Sequence, residues 1–173
     1  MKKCLILSIA LLICGLVMGC SKYGGQSNYS SLSQNEIKQF VSQKKIEPLS
    51  IEDVQNSTLI LYENGIYGLS KENGKIIENQ TGWVGNSKEK VIIGMTSTGS
   101  PHVSVIIEDK NLLKEANEVK VVFSDGKSVT KPFEGKRGLL VFYDKNKSNL
   151  TINDGIEISI FNKKGIVIYK HTL

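Results

Sequence analysis

From Ser57 to the C-terminus, apolar residues recur with period two in short runs separated by turn signals, and this limits the chain to antiparallel β architecture. Leu59 and Leu61 alternate with Ile60 and Tyr62, Asn64-Gly65 turns into Ile66–Lys71, and Asn73-Gly74 turns again into Lys75–Glu78. Asn-Gly is a strong hairpin signal because both central residues of a type I′ turn need positive φ. Further strands are expected at Val91–Met95, Val103–Ile107, Val119–Phe123, Lys127–Lys131, Leu139–Tyr143, Ile156–Phe161 and Ile166–Lys170. Asp125-Gly126 joins the middle pair and Asn162–Gly165 the last. The pattern predicts a mainly β domain over 57–173, an antiparallel β-sandwich of immunoglobulin-like architecture or a barrel. The Cys…Trp…Cys spacing of true immunoglobulin domains is absent, so that analogy concerns architecture only.

Two helices are expected. Leu32-Ser33-Gln34-Asn35-Glu36-Ile37 combines a capping box, Ser33 with Glu36, and a hydrophobic staple, Leu32 with Ile37. Ile37, Phe40 and Val41 then make one apolar face of an amphipathic helix that stops near Ile46, because Pro48 disfavours helical geometry at Glu47. The apolar face has two readings, docking on the domain or on a partner. The whole stretch 33–56 reads as a helical segment. A short inserted helix is expected at Asp109–Glu118, where Asp109 caps and Leu112, Leu113 and Ala116 share a face.

The N-terminus reads as an address. Lys2-Lys3 precede an apolar run from Cys4 to Met18 that is short of the ~20 residues of a membrane span. The run ends Leu16-Val17-Met18-Gly19-Cys20-Ser21, which resembles a lipobox with an aliphatic residue at −3, a small one at −1, and the cysteine to be lipidated. Residues 1–19 are therefore expected to be a lipoprotein signal peptide, and Cys20 the attachment point of a diacylglyceryl anchor on the extracytoplasmic face of a membrane. Two acyl chains anchor stably where one does not. Residues 20–32 are expected to be anchor and flexible tether, since Ser21–Ser31 is rich in Gly, Ser and Asn. Eleven such residues have a mean reach of about 18 Å.

Cys4 and Cys14 fall in the leader, which leaves Cys20 alone in the mature chain and excludes an internal disulfide. The formal charge of +5 falls to +3 once Lys2 and Lys3 are removed. A surplus that small suits mild attraction to anionic lipid or wall polymer and is no nucleic-acid footprint.

No motif carries a complete chemistry. The loop Gly94–His102 offers Thr96, Ser97, Thr98 and His102 as candidate binding residues. A Ser97/His102 nucleophile pair would need an orienting group and an oxyanion donor pair, and the G-x-S-x-G elbow is missed because Met95 stands at its first glycine. Alternation sends Val103, Val105 and Ile107 inward and puts His102 and Ser104 on the other face. Asp144–Ser148 begins like a calcium loop, but Asn149 replaces its glycine and Gly155 its closing Glu. His102 and His171 have no Cys or third His beside them, so neither metal nor cofactor is expected. Trp83, between Gly82 and Val84-Gly85, reads either as a ligand platform or as a cover for one open end of the core. Lys131, Lys136 and Arg137 make a basic spot around Pro132-Phe133.

Ser57–Glu63 (STLILYE), Tyr67–Ser70, Thr98–Pro101, Ile106–Glu118, Val121–Gly126 and Gly135–Tyr143 resemble small lipoproteins of Gram-positive bacilli. The resemblance spans most of 57–173, implies outer-face placement in such an envelope, and carries no activity and no functional residue. The expected role is a non-enzymatic binding or interaction module recognising an envelope protein or wall polymer. The alternatives are an envelope hydrolase using Ser97 and His102, or a protective lipoprotein of the immunity type.

Overall fold

The computed structural model describes residues 29–83, 89–97, 99–146 and 155–173. The signal peptide, Cys20, most of the tether, Thr98 and the second half of the Asp144 loop lie outside the described residues. The order is β1 (Tyr29–Ser30), α1 (Gln34–Lys44), β2 (Pro48–Val54), β3 (Ser57–Tyr62), β4 (Gly65–Glu72), β5 (Lys75–Gly82), β6 (Val91–Thr96), β7 (His102–Ile107), α2 (Lys110–Glu115), β8 (Ala116–Val122), β9 (Ser128–Pro132), β10 (Gly138–Phe142), β11 (Glu157–Asn162) and β12 (Val167–Thr172). The chain is mainly β, its described strand pairs are antiparallel, and its two helices start at the capping signals, although α2 ends at Glu115 rather than Glu118 and Ala116–Glu118 open β8 instead.

The strands divide among three sheets. β2, β3, β4 and β5 run side by side, with β1 pairing the far end of β4 beyond β3. β10, β7 and β6 form a second sheet, and β12, β11, β8 and β9 a third. The three-stranded sheet is the middle layer. Val103, Val105 and Ile107 of β7, with Leu139 and Val141 of β10, pack on Val119, Val121, Ile158 and Ile160 of the third sheet. From the opposite face Ile106, Leu140 and Phe142 meet Leu59, Leu61 and Ile66 of the first sheet. Strands covered on both faces must be nearly all apolar or small, and every residue of β7 and β10 is buried. This layering goes beyond the two sheets of an immunoglobulin-like sandwich. It also sets the environment of His102 and Ser104. They do lie on the face opposite Val103 and Val105, but that face is buried too.

α1 closes the other face of the first sheet. Ser33 Oγ accepts from the backbone N–H of Glu36 at 3.4 Å, while the Glu36 carboxylate accepts from the Ser33 N–H at 2.8 Å, so the capping box is complete. Leu32, Ile37 and Phe40 are buried on Ile60, Tyr62, Tyr67 and Leu69, which settles the docking of the helix on the domain. Each such side chain contributes roughly 1.5–3 kcal/mol on burial. Lys45, at φ 53°, ends the helix in left-handed geometry.

Three boundaries differ from the sequence expectation. The flexible tether does not extend to 32, because Tyr29 and Ser30 pair with Glu72 and Lys71, the Leu32 N–H donates to Thr58 Oγ1 at 3.1 Å, and Leu32 is buried. The helical segment does not extend to 56. Residues 48–54 are a sheet strand with Ser50 and Val54 buried, and Pro48 sits at its first position, where proline is tolerated. The Asn64-Gly65 turn is also displaced by one residue: Tyr62 pairs with Gly65, so Glu63 and Asn64 turn the chain. Neither Asn64 nor Gly65 has positive φ, whereas Asn73 (50°) and Gly74 (79°) do.

Candidate functional site

The first sheet is wider than the sheet that covers it, so part of its inner face overhangs. Along β3, β4 and β5 the inward positions there are Ser57 and Leu59, then Gly68 and Ser70, then Asn79 and Thr81, held abreast by the pairings Leu59–Gly68 and Gly68–Asn79. The end of the β6–β7 hairpin, with Thr96, Gly99 and His102, rises against this floor. Between them is a cleft of about 350 Å³. That is at the small end of ligand-pocket size.

Its lining is neutral and rich in hydrogen-bonding groups. Ser57 Oγ and Ser70 Oγ are 2.8 Å apart and bond each other, while Asn79, Thr81 and Thr96 add an amide and two hydroxyls. Leu59, Ile66 and Gly68 supply the apolar part. Among the described residues no Asp, Glu, Lys or Arg lines it. Gly68 keeps the floor open, because a Cβ there would stand in ordinary contact with Leu59 Cδ2 at 3.6 Å and Asn79 O at 3.9 Å.

Among the described residues, His102 is the one ionisable group of the wall. It is 4% exposed, and its ring tilts against Phe142 with centroids 5.3 Å apart. Nδ1 donates to the Ser100 carbonyl at 2.7 Å, which the turn presents through left-handed geometry at Gly99 (φ 60°) and Ser100 (φ 76°). Nε2 is buried with no hydrogen-bond partner among the described residues. Burial pushes the imidazole pKa below its usual 6.5, against the opposing pull of the Ser100 carbonyl. The side chain is therefore a neutral imidazole with a bare lone pair on Nε2.

Thr96 and His102 thus meet in one place, with partners from β3–β5 that the sequence reading missed. The available signal was the run of small and polar residues at alternate positions, Gly68, Ser70, Asn79 and Thr81, where a core-facing sheet would carry Val or Leu. Ser97 does not line the cleft, and no hydroxyl among the described residues is bonded to Nε2. Trp83 stands apart. It is half-buried against the core between the first two sheets, its ring lies over Gly94, and Nε1 donates to Glu63 O at 3.1 Å. It covers core.

The basic spot is largely internally paired. Arg137 meets Glu108 at 2.9 Å and Glu63 at 3.4 Å, and Lys131 bonds Glu52, which also receives Lys145 at 2.8 Å. The Asp144 carboxylate accepts from the Asn146 N–H at 2.9 Å, a local turn. Among the described residues no three His, Cys, Asp or Glu side chains gather as a metal would require, and no helix is long and apolar enough to cross a membrane. No family model matches the chain, and neither curated proteins nor solved structures give a match.

Proposed function

We propose that the protein is a lipid-anchored binding module on the extracytoplasmic face of a membrane, and that the cleft under Thr96 and His102 is its ligand site. The observation that carries the binding reading is the cleft itself, built from neutral hydrogen-bonding groups with a buried imidazole in its wall. Pockets of this kind bind by shape and a few oriented polar groups. The lipobox Leu16–Cys20 and the Gly/Ser-rich stretch behind it support the address. A diacylglyceryl group on Cys20 would hold the domain close to the head groups, since the eight residues between Cys20 and β1 have a mean reach of about 16 Å.

One observation favours a second reading. The Nδ1 hydrogen bond to Ser100 leaves Nε2 oriented as a general base would be. The hydrolase reading requires a nucleophile at Nε2, and retained turnover of envelope material after Ser97→Ala and His102→Ala would dispose of it.

Two measurements test the binding reading. Cys20→Ala should move the full chain from the detergent phase to the aqueous phase, and continued detergent partitioning would refute the anchor. Full-length protein crosslinked in its own envelope should capture a component that Gly68→Leu, which fills the cleft floor, no longer captures. Equal capture by the variant would place binding elsewhere.

A further inference from the structure

We infer that the ligand of the cleft is an uncharged, hydroxyl-rich molecule of the neutral saccharide class. This rests on the binding reading and deepens it by naming what the site recognises.

Charge is the first discriminator. The chain carries 22 Lys and Arg and 17 Asp and Glu, yet none of these residues among those described lines the cleft. The basic side chains Lys131, Lys145 and Arg137 lie outside the lining and are paired with Glu52, Glu63 and Glu108. A phosphate or carboxylate entering the cleft would gain no counter-charge from its described lining. The imidazole adds no charge, since burial keeps it neutral.

Hydrogen-bond capacity is the second. Ser57, Ser70, Asn79, Thr81 and Thr96 each both donate and accept, which matches a ligand whose own hydroxyls do both. His102 stands in the same wall, where its buried ring reports on a ligand packed against it. Leu59, Ile66 and the bare backbone of Gly68 supply the apolar part of the lining, against which the C–H face of a sugar ring can rest.

Backbone pairing is the third. An extended peptide gains most of its affinity by adding to a sheet edge. At the centre of the cleft floor Gly68 is paired to both Leu59 and Asn79, so a ligand lying on that face meets side chains, and the backbone edge lies only along β5, which among the described strands pairs with β4 alone. Side-chain groups do the recognition, which favours a saccharide over a peptide.

The test uses the full chain in detergent micelles with ¹⁵N-labelled histidine rings, His171→Gln assigning the His102 resonances by elimination. The probes are the N-acetylglucosamine disaccharide, a tetrapeptide containing Lys and Asp, and inorganic phosphate. The expected result is a saturable shift of the His102 ring nitrogens with the disaccharide and none with the peptide or phosphate. Gly68→Leu should weaken the disaccharide response by at least about tenfold, and Gly68→Ala less, with unfolding midpoints confirming that both variants are folded. A response to the peptide or phosphate in place of the saccharide overturns the inference, as does a disaccharide response indifferent to Gly68→Leu. If no probe shifts the ring while envelope capture remains sensitive to Gly68→Leu, the saccharide class is wrong and the binding site stands. If capture is also indifferent, both readings fall.

Discussion

The Nδ1 of His102 lies 2.7 Å from the carbonyl oxygen of Ser100, and because a carbonyl only accepts, the ring proton sits on Nδ1 and the lone pair on Nε2. This one contact fixes the tautomer of the only ionisable side chain among the described residues of the cleft wall. Its consequence is a pH dependence with a definite sign. Burial lowers the folded-state pKa below the ordinary 6.5, so the unfolded chain binds the proton more readily. The stabilisation is fully present above about pH 6.5 and is lost as pH falls from there toward the folded value. The carboxylates that the fold holds below their usual range, Glu36, Glu52, Asp109 and Asp125, act at lower pH. The urea midpoint of the native chain should therefore fall between pH 7.5 and 5.5, by no more than about 1.4 kcal/mol per pH unit. His102→Gln should show a flat profile over that interval, whatever its absolute stability. An equal slope in both proteins would mean that His102 is not the group that titrates.

The helix α1 is expected to be part of the cooperative unit. Phe40 is buried with an edge-on contact to Tyr67, ring centroids 5.2 Å apart. Phe40→Ala should cost about 3–5 kcal/mol in urea unfolding, whereas a side chain reserved for a partner would stay within about 0.5. Ser33→Ala removes the cap and should cost about 1 kcal/mol. Glu36 also receives Lys71 at 2.9 Å, and Ser33 and Lys71 together hold its carboxyl down to about 2. The contribution of this carboxylate is therefore present above about pH 4.5 and is lost progressively as pH falls from there to about 2, so acid should loosen the helix from β4 across that interval, as far-UV circular dichroism would record.

The two Asn-Gly dipeptides make a paired prediction. Gly74 has φ 79° and nothing within 4 Å of a Cβ, so Gly74→Ala should cost only the left-handed strain, about 1–2 kcal/mol. At Gly65 a Cβ would stand 2.3 Å from Thr81 O, an approach that only backbone movement relieves. Gly65→Ala should be the more damaging of the two. Comparable urea midpoints would show that the β4–β5 pairing yields at that point.

What could be read from the sequence was local. The capping box works through Ser33 and Glu36 alone, and Asn73-Gly74 needs only its own dihedral angles. Most strands were legible from alternation because one of their faces meets a core. β2 was not, since Ile51 is exposed and Glu52 half-buried within it, and its partner strand decides its conformation. The middle sheet misled for the opposite reason: Ser104 and Gly138 imitate a solvent face although both are buried. The cleft was half legible. Thr96 and His102 stand close in sequence, but Ser57, Ser70, Asn79 and Thr81 reach them only through the stacking of one sheet on another, which no local pattern encodes.

Gly94 tests that stacking directly. It lies opposite Ser104 in the β6–β7 ladder, where a Cβ would come within 2.6 Å of Ser104 Oγ and 3.6 Å of the Trp83 ring. Gly94→Ala should therefore overpack the layer, at a cost of about 1–3 kcal/mol. Trp83, the sole tryptophan, should report the displacement as altered emission in the folded state. Ser104→Ala removes the oxygen that the new methyl would strike. The double variant should consequently recover much of the loss and return the emission toward native. Strictly additive costs would mean that the two positions do not touch, and with them the packing that carries Trp83 would have to be redrawn.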